Sequence, residues 1–253
     1  MTPHHLTILT GASRGMGLAM AGQLLDAGHH LLCISRKTSE ALDAKARAAG
    51  LPCEQWPQDL ARAESAAALL ATWLKTQDPG TLASVTLINN AGLLPRIAPL
   101  PEISTADLVE AMRVDLEAPM LLTGAFLGAT ADWACPRKVL NISSGLGRRA
   151  MAAQAAYCAA KAGMDHFSRC VALEEASRAN GARICSLAPG VIDTDMQVQL
   201  RGASAASFPD IGNFIGLKDK GLLSSPEDAA AKVLGWLARP DFGANPVADV
   251  RDQ

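Results

Sequence analysis

The sequence has few aromatic residues and no apolar run long enough to cross a membrane. Its 253 residues include 5 Phe, 4 Trp and a single Tyr, Tyr157. No stretch approaches the roughly 18 uninterrupted apolar residues of a membrane helix. The composition of 49% hydrophobic and 19% charged residues excludes an extended disordered chain. We therefore expect a folded core built mainly from Ala, Leu, Val, Ile and Met.

An excess of charge of either sign is also absent, and the cysteines form no pattern. The 23 Lys and Arg nearly balance the 25 Asp and Glu, which argues against nucleic-acid or anionic-membrane partners. Six scattered cysteines without a C-x-x-C pair disfavour a disulfide framework or a zinc site and favour reduced thiols. The opening residues show no basic stretch followed by an apolar run, so we expect no secretory signal. These features predict a cytoplasmic protein without a bound metal.

Short apolar runs alternate with alanine-rich helical patterns along most of the chain. The predicted strands cover residues 6–10, 31–35, 53–56, 85–89, 138–143, 183–188 and 247–250. The predicted helices cover residues 15–27, 39–49, 61–74, 105–130, 155–179 and 226–238. This alternation predicts an α/β fold, a single Rossmann-type doubly wound parallel sheet with helices on both faces.

We assign residues 1–253 to a single domain. Two parts of this domain depart from the alternation of strands and helices. Residues 189–224 contain several Gly and Pro and no clear strand, so we expect a substrate-loop insertion there. Pro119 lies inside the long helical region 105–130 and is a candidate for a kink. After the insertion, Ser225 and Pro226 have the residue types that begin a helix.

The first strand runs into a glycine-rich turn with the spacing Gly-x-x-x-Gly-x-Gly. The glycines let the backbone turn tightly and approach a pyrophosphate, while the following helix supplies amide donors and a partial positive charge. The alternative is an ordinary strand-to-helix turn. The cofactor-binding residues predicted in this loop are Gly11, Ser13, Arg14, Gly15, Met16 and Gly17.

The end of the second strand, Ser35-Arg36-Lys37, indicates which nicotinamide coenzyme is preferred. An acidic residue there would bind the adenosine ribose diol, and none is present. Arg36 and Arg14 instead offer guanidinium groups suited to a 2′-phosphate, which predicts NADP(H). The alternative for Arg36 is an ordinary solvated charge.

Four further motifs, together with the glycine loop, resemble the short-chain dehydrogenase/reductase family in the family's order. They are Asn89-Asn90-Ala91-Gly92, Asn141-Ile142-Ser143-Ser144, Tyr157-Cys158-Ala159-Ala160-Lys161 and Pro189-Gly190-Val191-Ile192-Asp193-Thr194. A narrower similarity to the sepiapterin reductase and benzil reductase branch lies in residues 173–175, 193–197, 221–227 and 247–250.

The resemblance implies further roles for individual residues. Additional cofactor contacts are implied for Asp59, Leu60, Asn89, Ala91, Gly92, Tyr157, Lys161, Pro189, Gly190, Ile192 and Thr194. Substrate contacts are implied for Ser144, Leu146, Met151, Gln154, Tyr157, Met196 and Asp249, with Leu93, Leu94 and Phe208 as further lining. Ordinary core packing is the alternative for the apolar members, and an exposed tail charge for Asp249. The resemblance also implies a homodimer or homotetramer.

Tyr157 and Lys161 carry the predicted chemistry. They are four residues apart, so a helix places them on one face. An ammonium group about 4–6 Å from the phenol favours phenolate, and desolvation opposes part of that shift. With a bound oxidised nicotinamide adding a second positive charge, we expect the pKa of Tyr157 to fall from about 10 toward neutral pH. Tyr157 would then act as general acid in ketone reduction. Ser144 matches the family's serine and would stabilise the carbonyl oxygen, while strand alternation turns its neighbour Ser143 away.

Asp115 stands where the family usually has an asparagine that completes a proton relay, so we count it among the catalytic residues. Aspartate keeps an acceptor, loses the amide donor and adds a charge near Lys161. We expect activity with an altered pH profile. The favoured function is an NADPH-dependent carbonyl reductase acting on a ketone, an α-dicarbonyl or a pterin side-chain carbonyl. The alternatives are a catalytically weak nucleotide-binding regulatory or scaffold protein and an NAD-dependent dehydrogenase, which the missing acid disfavours.

Overall fold

The computed structural model describes residues 3–252, which form a seven-stranded sheet in the order β3-β2-β1-β4-β5-β6-β7. Each pair of neighbouring strands is parallel. The strands are β1 (His4–Thr10), β2 (His30–Ser35), β3 (Cys53–Pro57), β4 (Leu82–Asn89), β5 (Arg137–Ile142), β6 (Arg183–Ala188) and β7 (Val247–Asp249). Residues 1, 2 and 253 of the predicted domain lie outside the described residues. The first two belong to the segment in which we looked for a secretory signal.

Helices cover both faces of the sheet, which confirms the predicted fold class. They are α1 (Gly15–Asp26), α2 (Glu40–Ala49), α3 (Ala63–Leu74), α4 (Thr105–Met112), α5 (Ala118–Ala129), α6 (Ala155–Ala176), α7 (Asp195–Arg201), α8 (Ile211–Asp219) and α9 (Pro226–Ala238). Side chains of α3, α5 and α6 form one apolar core with the sheet, and side chains of α1, α2 and α9 form the other. Within β1, Ile8 belongs to the first core and Leu9 to the second, as strand alternation requires.

The long helix predicted over 105–130 is divided by a π-helical turn at Arg113–Glu117. Pro119 follows this turn and has no N–H to donate to the carbonyl of Asp115, four residues earlier. The irregularity expected near Pro119 is therefore a π-helical turn that contains Asp115. The predicted start of the last helix is confirmed, because Ser225 Oγ accepts a hydrogen bond from Asp228 N at 3.0 Å.

The insertion, residues 189–224, contains two helices that the sequence pattern did not reveal, α7 and α8. Phe208 and Phe214 pack with their ring centroids 5.5 Å apart. Together with Ile97 and Leu200 they form a third, smaller apolar cluster. The helices are short and their apolar faces are completed by residues from elsewhere in the chain, so local periodicity does not identify them.

A helix that could span a bilayer does not occur in residues 3–252. All six cysteines are free thiols.

Four histidines stack in two pairs at the amino ends of β1 and β2. The ring centroids of His4 and His30 are 3.7 Å apart, and those of His5 and His29 are 4.9 Å apart. Thr7 Oγ1 lies 3.0 Å from His29 Nδ1. Burial, with a smaller contribution from His5 and His30, lowers the pKa of His29 to about 4. The folded protein thus favours a neutral imidazole at this position.

This lowered pKa predicts a loss of stability in mild acid. Between the ordinary histidine pKa of about 6.5 and the folded value of about 4, the unfolded chain binds a proton that the folded protein does not. The free energy of unfolding therefore falls as the pH falls through that window. We expect the urea midpoint to decrease between about pH 7 and about pH 5, and to decrease less in His29→Asn. The matched control is His166→Asn, on the exposed face of α6; equal decreases in both variants would contradict the assignment.

Candidate active site

The carboxyl ends of four central strands bring the predicted motifs to one edge of the sheet. The strand order reverses between β1 and β4, and ligands of such folds bind in the crevice at that point. The segments that leave β1, β4, β5 and β6 begin at Gly11, Asn90, Ser143 and Pro189. The structure therefore gathers motifs that are spread along most of the chain.

The glycine loop is locked in place by close backbone contacts. Gly11 has a φ of +70°, and a Cβ there would lie 2.9 Å from Ala91 Cα. A Cβ on Gly17 would lie 2.0 Å from Gly11 O, so both positions require glycine. Asn90 Nδ2 donates to Thr10 O at 3.0 Å, which ties the motif after β4 to this loop. The side chain of Asn90 thus has a structural task.

The beginning of α1 fits the pyrophosphate of a nicotinamide coenzyme. Its N-cap residue, Arg14, makes no side-chain capping hydrogen bond, so the first-turn amides lack a side-chain partner. A Cβ on Gly15 would meet only Thr194 Cγ2, at 3.7 Å, which places the end of the β6 motif beside the loop. Uncapped amides and the helix dipole favour a bound phosphate.

The polar and charged residues predicted to bind the coenzyme near β2 and at the start of α1 have different surroundings. Arg36 is exposed beyond β2. Arg14 Nη1 contacts Asp195 Oδ2 at 2.5 Å, so it pairs with α7 in this state. Ser35 is buried and its Oγ accepts a hydrogen bond from Ala12 N at 2.8 Å. Asp59 caps a short turn by accepting from Ala61 N at 3.1 Å.

Several other predicted cofactor residues contribute mainly to packing through their side chains. Met16 and Leu60 are buried in the core. Asn89 is also buried, and its Nδ2 donates to Thr123 Oγ1 at 3.1 Å and to Asn141 Oδ1 at 2.8 Å. Any cofactor contact made by these residues would therefore involve their backbone, and their assignment as cofactor ligands stays a prediction. Of the other residues predicted there, Pro189 is buried and the rest are partly exposed, namely Ser13, Ala91, Gly92, Gly190, Ile192 and Thr194.

Ser144, Tyr157 and Lys161 come together as expected. Lys161 Nζ lies 5.6 Å from the Tyr157 ring centroid and donates to Ile142 O at 3.1 Å. Ser144 follows β5, and its hydroxyl acts to lower the pKa of Tyr157. The arrangement places a phenol, a hydroxyl and a buried ammonium group at the edge of the sheet that holds the glycine loop.

The direction of the Tyr157 pKa shift differs from the sequence prediction. Burial raises the pKa of the phenol, and this effect outweighs the lowering by Lys161 and Ser144. Asp115 adds to the rise because its negative charge opposes a phenolate. The groups that the protein itself supplies therefore do not bring this pKa toward neutral, and the pKa with a bound oxidised nicotinamide stays a prediction. Tyr157 therefore keeps its proton at neutral pH in the free protein.

Asp115 lies within the π-helical turn and its carboxylate is fully buried. Its Oδ1 accepts a hydrogen bond from Leu93 N at 3.0 Å and lies 3.7 Å from Lys161 Nζ. Burial raises the pKa of Asp115, while Lys161 and the Leu93 N–H lower it. Its Oδ2 is buried without a hydrogen-bond partner among residues 3–252. The structure thus places the expected charge beside Lys161.

Besides Ser144 and Tyr157, the predicted substrate residues are an apolar group and two polar residues, Gln154 and Asp249. Met151 packs on the cluster around Phe208, and Met196 Cε would lie 3.8 Å from a Cβ on Gly92. Leu146 is partly exposed beside Ser144. Gln154 is 1% exposed, and both of its amide atoms lack a partner within the described chain.

Asp249 is a buried residue of β7, so the alternative of an exposed tail charge is wrong. Its carboxylate accepts from Arg251 Nε at 2.7 Å and from Arg251 Nη2 at 2.6 Å. The Arg251 guanidinium holds the pKa of Asp249 below its usual range. A substrate contact by Asp249 stays a prediction, since its oxygens already have a partner.

Three features of the site were not identified in the sequence. Asp195 pairs with Arg14, and this contact between distant segments has no local sequence signal. Ala153 has a φ of 60°, a strained conformation for a residue with a Cβ. Asp165 is buried four residues after Lys161, and this helical spacing could have revealed it. In residues 3–252, the side chains of His, Cys, Asp and Glu form no cluster suited to a metal ion.

Comparisons with known proteins agree with this geometry. A model of the short chain dehydrogenase family matches residues 5–205. A benzil reductase ((S)-benzoin forming) of Bacillus cereus is 34% identical over 235 residues, covering 93% of this chain and 94% of that protein. Sepiapterin reductase of Bos taurus is 32% identical, covering 98% of this chain and 95% of that protein. A solved metagenomic short-chain oxidoreductase in complex with NADP has a TM-score of 0.71 and 27% identity, covering 94% of this chain and 93% of that chain.

Removing the charge of Asp115 should lower the pKa of Tyr157. Asp115→Asn keeps the size of the side chain but removes the negative charge that disfavours a phenolate. We expect the phenol of the wild-type protein to titrate above its usual value of about 10, and that of Asp115→Asn to titrate at a lower pH. Ultraviolet absorbance reports Tyr157 alone because the chain has a single Tyr. Tyr157→Phe supplies the blank, and coincident titration curves would remove any influence of Asp115 on the phenol.

Proposed function

The chain belongs to the short-chain dehydrogenase family, and from that premise we propose that it is an NADPH-dependent carbonyl reductase. Its broader activity is that of an oxidoreductase acting on CH–OH or C=O groups of small molecules. The observation that carries the proposal is the position of Ser144, Tyr157 and Lys161 at the same sheet edge as the glycine loop. The substrate would be a ketone, an α-dicarbonyl or a pterin side-chain carbonyl.

Each of the three side chains has a distinct task in the proposed reduction. Bound NADPH would supply the hydride that reaches the carbonyl carbon. Tyr157 donates its proton to the carbonyl oxygen, since its phenol is protonated at neutral pH. The Ser144 hydroxyl stabilises negative charge on the same oxygen. Lys161 then stabilises the phenolate that remains and, by resemblance, binds the nicotinamide ribose.

The preference for NADPH over NADH rests on the residues after β2. Arg36 and Lys37 are both exposed there, and no acidic residue takes the position that would bind a ribose diol. A guanidinium group binds a phosphate through charge-assisted hydrogen bonds. The NADP in the similar solved oxidoreductase supports the same choice. The uncapped amides of α1 would hold the pyrophosphate.

The substrate class is inferred from the relatives and from the lining of the pocket. Benzil, named in one relative, is an aromatic α-dicarbonyl, so its reduced carbonyl has a second polar group beside it. In this chain the partly exposed Met151 offers apolar surface beside the buried Phe208 cluster, and Gln154 has an amide without a partner in the described chain. We infer a substrate with an apolar body and a second polar group next to the reacting carbonyl.

A nucleotide-binding regulatory protein is the second candidate, and Asp115 is the observation that favours it. A carboxylate 3.7 Å from Lys161 partly offsets the charge that should stabilise the phenolate. Such a protein would bind NADPH tightly without reducing any carbonyl. We also propose a homodimer or homotetramer built on α5 and α6, whose outer faces expose Met120 and Leu173. A cytoplasmic location stays a prediction.

The wild-type protein should oxidise NADPH in the presence of α-dicarbonyls, sepiapterin or quinones, and do so faster than it oxidises NADH. We expect Tyr157→Phe to reduce kcat by a factor of about 10²–10⁴, the usual contribution of a positioned general acid. Arg36→Ser should weaken the preference for NADPH without abolishing turnover. Absence of turnover with every substrate, combined with tight NADPH binding, would favour the regulatory alternative.

Replacing Gln154 tests its substrate contact independently of the coenzyme. Gln154→Met removes a buried amide with no partner in the described chain, so the free protein should melt at a higher temperature. We expect kcat/KM for an α-dicarbonyl to fall by roughly a factor of 5–10, which corresponds to one hydrogen bond of about 1 kcal/mol.

The reduction of a monoketone with the same apolar body should be unchanged in Gln154→Met. Gln77→Met is the matched variant, because Gln77 already donates to Trp73 O and Thr76 Oγ1. We expect it to melt no higher than the wild-type protein and to keep the wild-type preference between substrates. Equal losses for the α-dicarbonyl and the monoketone in Gln154→Met would contradict the assigned contact.

A further inference from the structure

The buried carboxylate of Asp165 connects α6 to β6 and to the residue that follows β5. Asp165 is 2% exposed and lies four residues after Lys161, on the same helix. Its Oδ1 accepts hydrogen bonds from Ser143 Oγ at 2.6 Å and from Ser186 Oγ at 2.7 Å. Ser143 follows β5 and Ser186 belongs to β6, so both hydroxyl groups fix strands against α6.

The second oxygen of Asp165 connects the helix to the segment after Ser144. Arg148 Nε donates to Asp165 Oδ2 at 3.2 Å, and Arg148 Nη2 donates to Ala248 O at 2.9 Å. A Cβ on Gly147 would lie 2.9 Å from Asp165 Oδ2 and 2.9 Å from Lys161 O. The segment 145–148 therefore lies directly against α6, at an approach that only glycine allows at position 147.

These contacts surround Ser144 on both sides along the chain. Ser143 precedes it, Gly145–Arg148 follow it, and the same carboxylate binds both segments. Tyr157 and Lys161 precede Asp165 by two turns and one turn of α6. Ser144 and Tyr157 come from different elements, so their separation depends on how the segment after β5 is attached to the helix.

We propose that Asp165 is a positioning residue that holds Ser144 at its working distance from Tyr157, with Ser143 and Arg148 as its two attachments. The inference rests on the proposed reductase function, in which both groups act on one carbonyl oxygen. Groups that act together on a reacting atom must be held close to their productive geometry, and packed, hydrogen-bonded neighbours provide this. Three donors also compensate the burial of the carboxylate, which would otherwise be unfavourable.

The two serines provide a matched pair of variants. Ser143→Ala and Ser186→Ala each remove one hydroxyl donor from the same Oδ1, and both side chains are buried. Ser143 is the chain neighbour of Ser144, whereas Ser186 lies between the core residues Cys185 and Leu187. A purely structural role for Asp165 predicts similar effects of the two variants. A positioning role predicts an effect on catalysis for Ser143→Ala alone.

The measurements are kcat, KM and thermal stability, together with amide hydrogen exchange of residues 144–149. We expect similar melting temperatures for the two variants, at least a tenfold lower kcat with nearly unchanged KM for Ser143→Ala, and values within twofold of wild type for Ser186→Ala. Exchange in 144–149 should be faster in Ser143→Ala and in Arg148→Gln, and unchanged in Ser186→Ala.

Equal kcat values in the two serine variants, or exchange at 144–149 that neither Ser143→Ala nor Arg148→Gln changes, would overturn the proposal. The exchange measurement needs no substrate. It therefore decides whether Asp165 holds the segment even if the wild-type protein reduces no carbonyl, an outcome that would overturn only the proposed function.

Discussion

A buried ammonium group organises the candidate site. Lys161 is 4% exposed, and a charge in such a position requires polar partners. It has them in the Ile142 carbonyl at 3.1 Å and the Asp115 carboxylate at 3.7 Å, which belong to β5 and to the π-helical turn. The need to satisfy one charge thereby fixes α6 against both elements, and Tyr157 and Asp165 lie on the same helix.

The charges around Tyr157 act on the pKa of its phenol in opposite senses. A lysine alone would stabilise the phenolate, which suits a base that oxidises an alcohol. Burial of the phenol and the nearby Asp115 act in the opposite sense, and the pKa of Tyr157 is raised as a result. The free protein therefore presents a protonated phenol at neutral pH.

Much of the fold and the chemical centre could be predicted from the sequence because their signals are local. Alternating strand and helix patterns gave the parallel sheet, and the four-residue spacing of Tyr157 and Lys161 placed them on one helix face. The missing acid after β2 is also a local signal, because that position lies at a strand end in any fold of this kind. The helices α7 and α8 could not be predicted in the same way, since their apolar faces pack on residues distant in sequence.

The sequence by itself determined which reactive groups are present, their spacing within each element and the parallel α/β sheet to which they belong. Only the tertiary structure decided how those groups are charged and held. The pKa of Tyr157 depends on burial and on a carboxylate 42 residues away along the chain. The attachments of Asp165, the pairing of Arg14 with Asp195 and the enclosure of Gln154 likewise join segments that are remote in sequence. Desolvation and hydrogen bonding depend on distances in space, which residue spacing specifies only within a single helix or strand.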